Sequence, residues 1–105
     1  MNMASHKFSK ATVDIRLQGE VTDTREGWAF TSACGHKLVA HPMMVGGKLW
    51  QVTEPVTGYR VGSGSTSRAA AASVAESILA RHPGALAQRI TQTLIEREVA
   101  TGRAA

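Results

Sequence analysis

The spacing of apolar residues changes once along this chain, between Gly62 and Ser67. Upstream segments alternate apolar and polar residues with a period of two, which is typical of half-buried strands. Downstream segments repeat with a period near 3.6, which is typical of helices. A run of strands followed by a run of helices indicates the α+β class. We therefore predict an antiparallel β-meander of about five strands followed by two C-terminal helices, at least one of them packed on the sheet.

The strand-like part of the chain is divided by residues that favour turns. The main turn signals are Asp23 to Gly27, Cys34-Gly35 and Gly46-Gly47. Pro42 cannot donate a backbone hydrogen bond, so it predicts an edge or a bulge in its strand. The predicted strands span residues 12–22, 28–33, 37–45, 48–53 and 59–62.

Two helices are predicted after the change of period. The first runs from about Ser67 to Arg81, with Thr66 or Ser67 as the N-cap, and its alanine-rich first turns favour close packing on a sheet. Pro83 ends it, because proline disfavours helical geometry in the preceding residue. The second helix spans residues 85–101 and carries an apolar stripe. This stripe consists of Leu86, Ile90 and Leu94. It predicts either packing on the sheet or pairing with a second copy of the chain across a two-fold axis.

The length of 105 residues fits one compact domain. We expect residues 1–11 to form a flexible leader and residues 12–102 a single α+β domain. The N-terminus lacks the apolar segment of a signal peptide, and no stretch approaches the ~18 apolar residues of a membrane span. We therefore predict a protein of the bacterial host cytoplasm that does not bind membranes. The single cysteine, Cys34, excludes an internal disulfide.

No motif for catalysis or metal binding stands out. The one cluster of ligand-type residues is Cys34, His36 and His41, and its spacing matches no zinc rule. We interpret it as a turn cysteine with two surface histidines. Gly62-Ser63-Gly64 lacks the lysine of a phosphate-binding loop, and no serine or cysteine lies in a nucleophile-elbow context. We therefore expect no enzyme activity, no metal and no cofactor.

The stretch from Leu49 to Gly62, followed by Gly64, Thr66 and an alanine-rich helix, resembles the small orphan proteins of temperate phages and mobile elements. Several such proteins are anti-CRISPR inhibitors. The resemblance lies in size, element order and hairpin–helix pattern. It implies a non-enzymatic protein that inhibits a host nucleic-acid-handling complex, such as a CRISPR effector, by occluding its surface.

Tryptophan, tyrosine and arginine are the common anchors of protein interfaces. The predicted hairpin and junction contain four of them, which we predict to bind the partner: Trp50, Tyr59, Arg60 and Arg68. Burial against the helix is the alternative interpretation for the two aromatic residues.

Two other functions fit the sequence. The net charge of +4 predicts, as an alternative, a small nucleic-acid-binding accessory protein whose contacts are Arg68, Arg81 and Arg89. The third is a dimeric regulatory protein that pairs through the second helix.

Overall fold

The computed structural model describes residues 6–17, 20–43 and 48–100, without the side chains of residues 15–17, 20–23 and 100. Each strand pairs antiparallel with the next one along the chain, in the sheet order β1-β2-β3-β4-β5, and two helices follow. The predicted α+β meander is therefore confirmed. The elements are β1 (Ser9–Leu17), β2 (Glu20–Thr31), β3 (Lys37–Pro42), β4 (Trp50–Glu54), β5 (Tyr59–Ser65), α1 (Arg68–Arg81) and α2 (Ala85–Ala100).

The first hairpin differs from the prediction. Its predicted turn at residues 23–27 is wrong, because these residues lie inside β2 and pair with β1, with Asp23 opposite Ile15 and Gly27 opposite Ala11. Pairing with a neighbouring strand overrides the local turn preference of single residues. The predicted strand over residues 12–22 is therefore the end of β1 and the start of β2. Gly19 and Gly46-Gly47 lie outside the described residues.

The N-terminal segment joins the fold earlier than predicted. Strand β1 begins at Ser9, and Phe8 packs against the main core. The His6 Nε2 atom lies 2.7 Å from a carboxylate oxygen of Glu76 on α1. The predicted leader therefore does not extend to residue 11.

Helix α1 packs on one side of the sheet, which we call the helix face. The Ser67 hydroxyl caps the helix by accepting a hydrogen bond from the Ala70 amide at 3.1 Å, which confirms one of the two predicted caps. The alanines bring the helix backbone close to strands β3, β4 and β5. The buried core consists of Phe30, Leu38, Ala40, Val52, Val61, Ala71, Ala72, Ala75 and Leu86.

Helix α2 packs against the main core through its N-terminal half. The chain reverses at Pro83 and Gly84, where Gly84 has a φ of +79°. Leu86 is buried in the main core and Ile90 packs against it. Further along α2, the Arg97 guanidinium donates a hydrogen bond to the Val56 carbonyl in the β4–β5 turn.

The other side of the sheet, the hairpin face, is covered by the β1–β2 hairpin. The ladder between β2 and β3 ends at Trp28, and β1 contacts β3 although β2 lies between them in the sheet. Gly27 permits this bend: a Cβ there would lie 2.7 Å from both the Ala40 carbonyl oxygen and a Val39 methyl carbon. The bend buries a second cluster, formed by Val13, Ala29 and Val39.

We expect Gly27→Ala to destabilise the protein by about 1–3 kcal/mol, because the new methyl group must displace backbone as well as side chain. The measurement is the free energy of unfolding in urea. A loss of stability would be informative, because replacing glycine by alanine within a strand normally stabilises a protein by about 0.5–1 kcal/mol. An equally stable or more stable variant would show that β2 does not approach β3 this closely.

Candidate functional site

The four predicted partner-binding residues do not converge on one place. Register sets Trp50 opposite Ser65 and Tyr59 opposite Glu54, so the two aromatic residues lie at opposite ends of the β4–β5 ladder. Trp50 is half-buried against the main core, as its alternative interpretation expected, whereas Tyr59 remains 45% exposed. Arg60 is also exposed.

The arginines of the nucleic-acid alternative are also dispersed. Arg68 and Arg81 are the first and last residues of α1, whose 14 residues separate them by about 20 Å along the axis. Arg89 places its guanidinium 4.8 Å from the centre of the Tyr59 ring. The three arginines therefore do not lie on one face of a single helix.

Arg68 has the most constrained surroundings of these arginines. Its guanidinium carbon lies 4.5 Å from the centre of the Phe8 ring and 4.6 Å from that of Trp28. The Lys10 ammonium lies 6.0 Å from the same Trp28 ring. Sequence reasoning missed Phe8, Lys10 and Trp28 because β1 and β2 reach α1 only in the folded chain.

Two grooves of about 280 Å³ each flank the joint between α1 and α2. The first is lined in part by Cys34, His36, Glu76 and His82, and the second by Tyr59, Ile78, Leu86 and Arg89. Both are below the ~300 Å³ at which ligand pockets usually begin. In the first groove Glu76 already has hydrogen-bond partners. Its carboxylate accepts a hydrogen bond from the Ala33 amide at 3.0 Å and also contacts His6.

The ligand-type residues of the β2–β3 turn do not form a metal centre. Cys34 is exposed in the turn, as expected, with its Sγ atom 3.3 Å from the Ser32 hydroxyl. Across residues 6–17, 20–43 and 48–100, no group of three or more histidine, cysteine, aspartate or glutamate residues is placed to hold a metal ion.

His41 was predicted to be a surface residue, and this prediction is wrong. It is fully buried on the hairpin face, because the bent β1–β2 hairpin covers it. Its Nδ1 atom donates to the Pro42 carbonyl at 2.9 Å, which leaves Nε2 to accept the Thr53 hydroxyl at 2.7 Å. Burial, together with the nearby positive charge of Arg25, lowers the pKa of His41, although the Pro42 hydrogen bond acts in the opposite direction.

The last two turns of α2 carry large apolar side chains that are exposed to solvent. Leu94, Ile95 and Val99 are 51%, 57% and 61% exposed. The inner side of the same helix carries Leu86, Ile90 and Arg97, which make the contacts to the core and the β4–β5 turn. We call the three exposed residues the outer stripe of α2.

No protein-family model, curated protein or solved structure matches this chain. Neither α1 nor α2, as far as the structure describes them, is long and apolar enough to cross a membrane.

We expect acid to destabilise the fold through His41. Because its pKa is lowered in the folded state, the unfolded chain binds the proton more readily, and stability is lost as the pH falls below about 6.5. The measurement is the free energy of unfolding between pH 7.5 and 5 for the wild type and His41→Gln. The wild type should lose up to about 1.4 kcal/mol per pH unit more than the variant, the limit for one proton. Parallel pH profiles would contradict this role.

Proposed function

We propose that this chain is a non-enzymatic protein-binding domain that docks the outer stripe of α2 into an apolar groove on another protein. The observation that carries the proposal is the exposure of Leu94, Ile95 and Val99, each more than half accessible to solvent. Large apolar side chains grouped on one exposed helix surface are typical of interaction sites. Such exposed apolar side chains lower the solubility of a protein unless a partner covers them.

The spacing of the outer stripe suits binding of a helix in a groove. Ile95 and Val99 are four residues apart and therefore lie on the same side of α2, whereas Leu94 continues the line of Leu86 and Ile90 into the exposed part of the helix. This mode of recognition uses apolar anchors at such intervals along a helix. The inner contacts of Arg97 and Leu86 hold the helix on the domain, so it is presented in a defined orientation.

A groove on a different protein fits this surface better than a second copy of the chain. The stripe runs from residue 94 to residue 99, about 8 Å of helix. Two such short segments crossing at a two-fold axis bury far less than the ~800 Å² per partner of a standard interface. A groove encloses the helix from several sides and so buries more of it.

Inhibition of a host nucleic-acid-handling complex, such as a CRISPR effector, is the finer form of this proposal. Its support is the small size of the domain and its apolar docking helix, which together suit occlusion of a partner surface. The partner-binding roles of Trp50, Tyr59, Arg60 and Arg68 stay predictions, and Tyr59 contacts α2 through Arg89.

The test compares tagged wild type, Ile95→Lys and Ser77→Lys in capture from nuclease-treated bacterial lysate. The recovered protein is then purified and its Kd for each variant is measured. Ile95→Lys places a charge in the apolar groove, so we expect at least about ten-fold weaker binding. Ser77→Lys adds the same charge to an exposed position on α1, outside the outer stripe, and should change the Kd less than two-fold.

Thermal unfolding controls for structure, and both variants should melt near the wild type because both positions are exposed. Equal Kd values for the two variants would reject α2 as the binding surface. Sedimentation velocity supplies the remaining outcome: a wild-type dimer that Ile95→Lys dissociates would make the partner a second copy and overturn the proposal.

A further inference from the structure

Arg68 is held between two aromatic rings at the start of α1. Phe8 reaches it from the segment before β1, and Trp28 from β2, with ring centres 4.5 and 4.6 Å from the guanidinium carbon. Phe8 is itself fixed, because its ring packs edge-on against buried Phe30 with centres 5.5 Å apart. The two rings restrict the rotamers of an arginine side chain that otherwise moves freely at a protein surface.

The stacking leaves the charge of Arg68 uncompensated. Within the described part of the chain, its guanidinium forms no ion pair and no hydrogen bond. The first turn of α1 contains no acidic residue. Lys10 pairs with Glu26 at 3.8 Å, and both side chains are largely exposed, so this ion pair neutralises Lys10 only weakly.

An arginine fixed in this way is suited to binding an oxyanion. Aromatic rings contact the faces of the guanidinium, while the N–H donors lie along its edge, where they bind two oxygens of one phosphate at once. Because the side chain is already ordered, less conformational entropy is lost on binding. Lys10 lies over the same Trp28 ring and adds a second positive charge.

We propose that Arg68 and Lys10 bind backbone phosphates of a nucleic acid, with Phe8 and Trp28 as positioning residues. Two cations beside one ring favour a ligand with repeated negative charges over a single carboxylate. The net charge of +4 acts in the same direction at longer range. This site is separate from the outer stripe of α2 and does not depend on it.

The experiment measures binding of a fluorescein-labelled 20-nucleotide single-stranded DNA by anisotropy between 25 and 200 mM salt. Arg68→Gln removes the charge, and the matched control Lys37→Gln removes one exposed charge from β3. We expect Arg68→Gln to weaken binding about ten-fold, the effect of removing a charge-assisted hydrogen bond. The slope of log K against log salt should fall by about 0.7 for each phosphate that the variant no longer neutralises. Lys37→Gln should change the affinity less than two-fold and leave the slope unchanged.

Phe8→Leu tests the positioning role. The variant loses one of the two rings that order the guanidinium, so the affinity for the DNA should fall. Because both cations are kept, the salt slope should stay at the wild-type value. A purely structural role for the stack would lower the melting temperature of the variants without changing the salt slope of Arg68→Gln. If Arg68→Gln does not fold, Arg68→Lys replaces it, with weaker binding and a wild-type slope expected because it retains one charge without the planar donors.

Three results would overturn the proposal. The first is no saturable binding of the DNA by the wild type at 25 mM salt. The second is an equal effect of Arg68→Gln and Lys37→Gln, which would indicate only diffuse attraction between the DNA and a basic protein. The third is competition by polyglutamate of equal charge at the same concentration as unlabelled DNA, which would make the ligand an acidic peptide.

Discussion

The contact between the alanines of α1 and the sheet is the constraint on which the rest of the structure depends. Ala71, Ala72 and Ala75 are almost completely buried, and each offers only a methyl group, so the helix backbone lies close to the strands. One short helix thereby covers β3, β4 and β5. Helix α2 contacts this core through Leu86 and Ile90. Its inner residues reach the core and the β4–β5 turn, and its outer residues remain exposed.

The two faces of the sheet are buried by different means. The helix face is closed by a helix and is lined by apolar residues. The hairpin face is closed by the sheet itself, because β2 bends at Gly27. Two polar side chains of the covered strands, His41 and Thr53, satisfy each other there at 2.7 Å. The buried histidine is therefore part of the packing of this face.

The two proposed sites lie on different helices. Arg68 begins α1, and the outer stripe lies in the last two turns of α2. One site is a fixed cation between aromatic rings, and the other is an apolar helix surface. Because these surfaces attract ligands by different forces, high salt weakens binding at the first and leaves binding at the second largely intact.

Much of the fold follows from local patterns in the sequence. The change of period separates strands from helices, Ser67 caps α1, and Pro83 and Gly84 separate the two helices, since each of these features acts through neighbouring residues. The exposed stripe of α2 was only partly predictable. Leu86, Ile90 and Leu94 follow one line along the helix, but only the packing against the core decides that Leu86 is buried and Leu94 exposed.

The remaining features depend on residues far apart in the chain. The turn preference of Asp23 and Gly27 predicts a chain reversal, but pairing with β1 makes the same segment part of a strand. The strand bends at Gly27, and the bent hairpin covers His41. Phe8, Trp28 and Arg68 have no relation in sequence spacing and meet only because α1 lies across the sheet. The sequence by itself determined the order and type of the elements, since these arise from short-range periodicity. Only the tertiary structure decided which side chains are buried and which charges lie beside aromatic rings, because both depend on how distant strands and helices pack together.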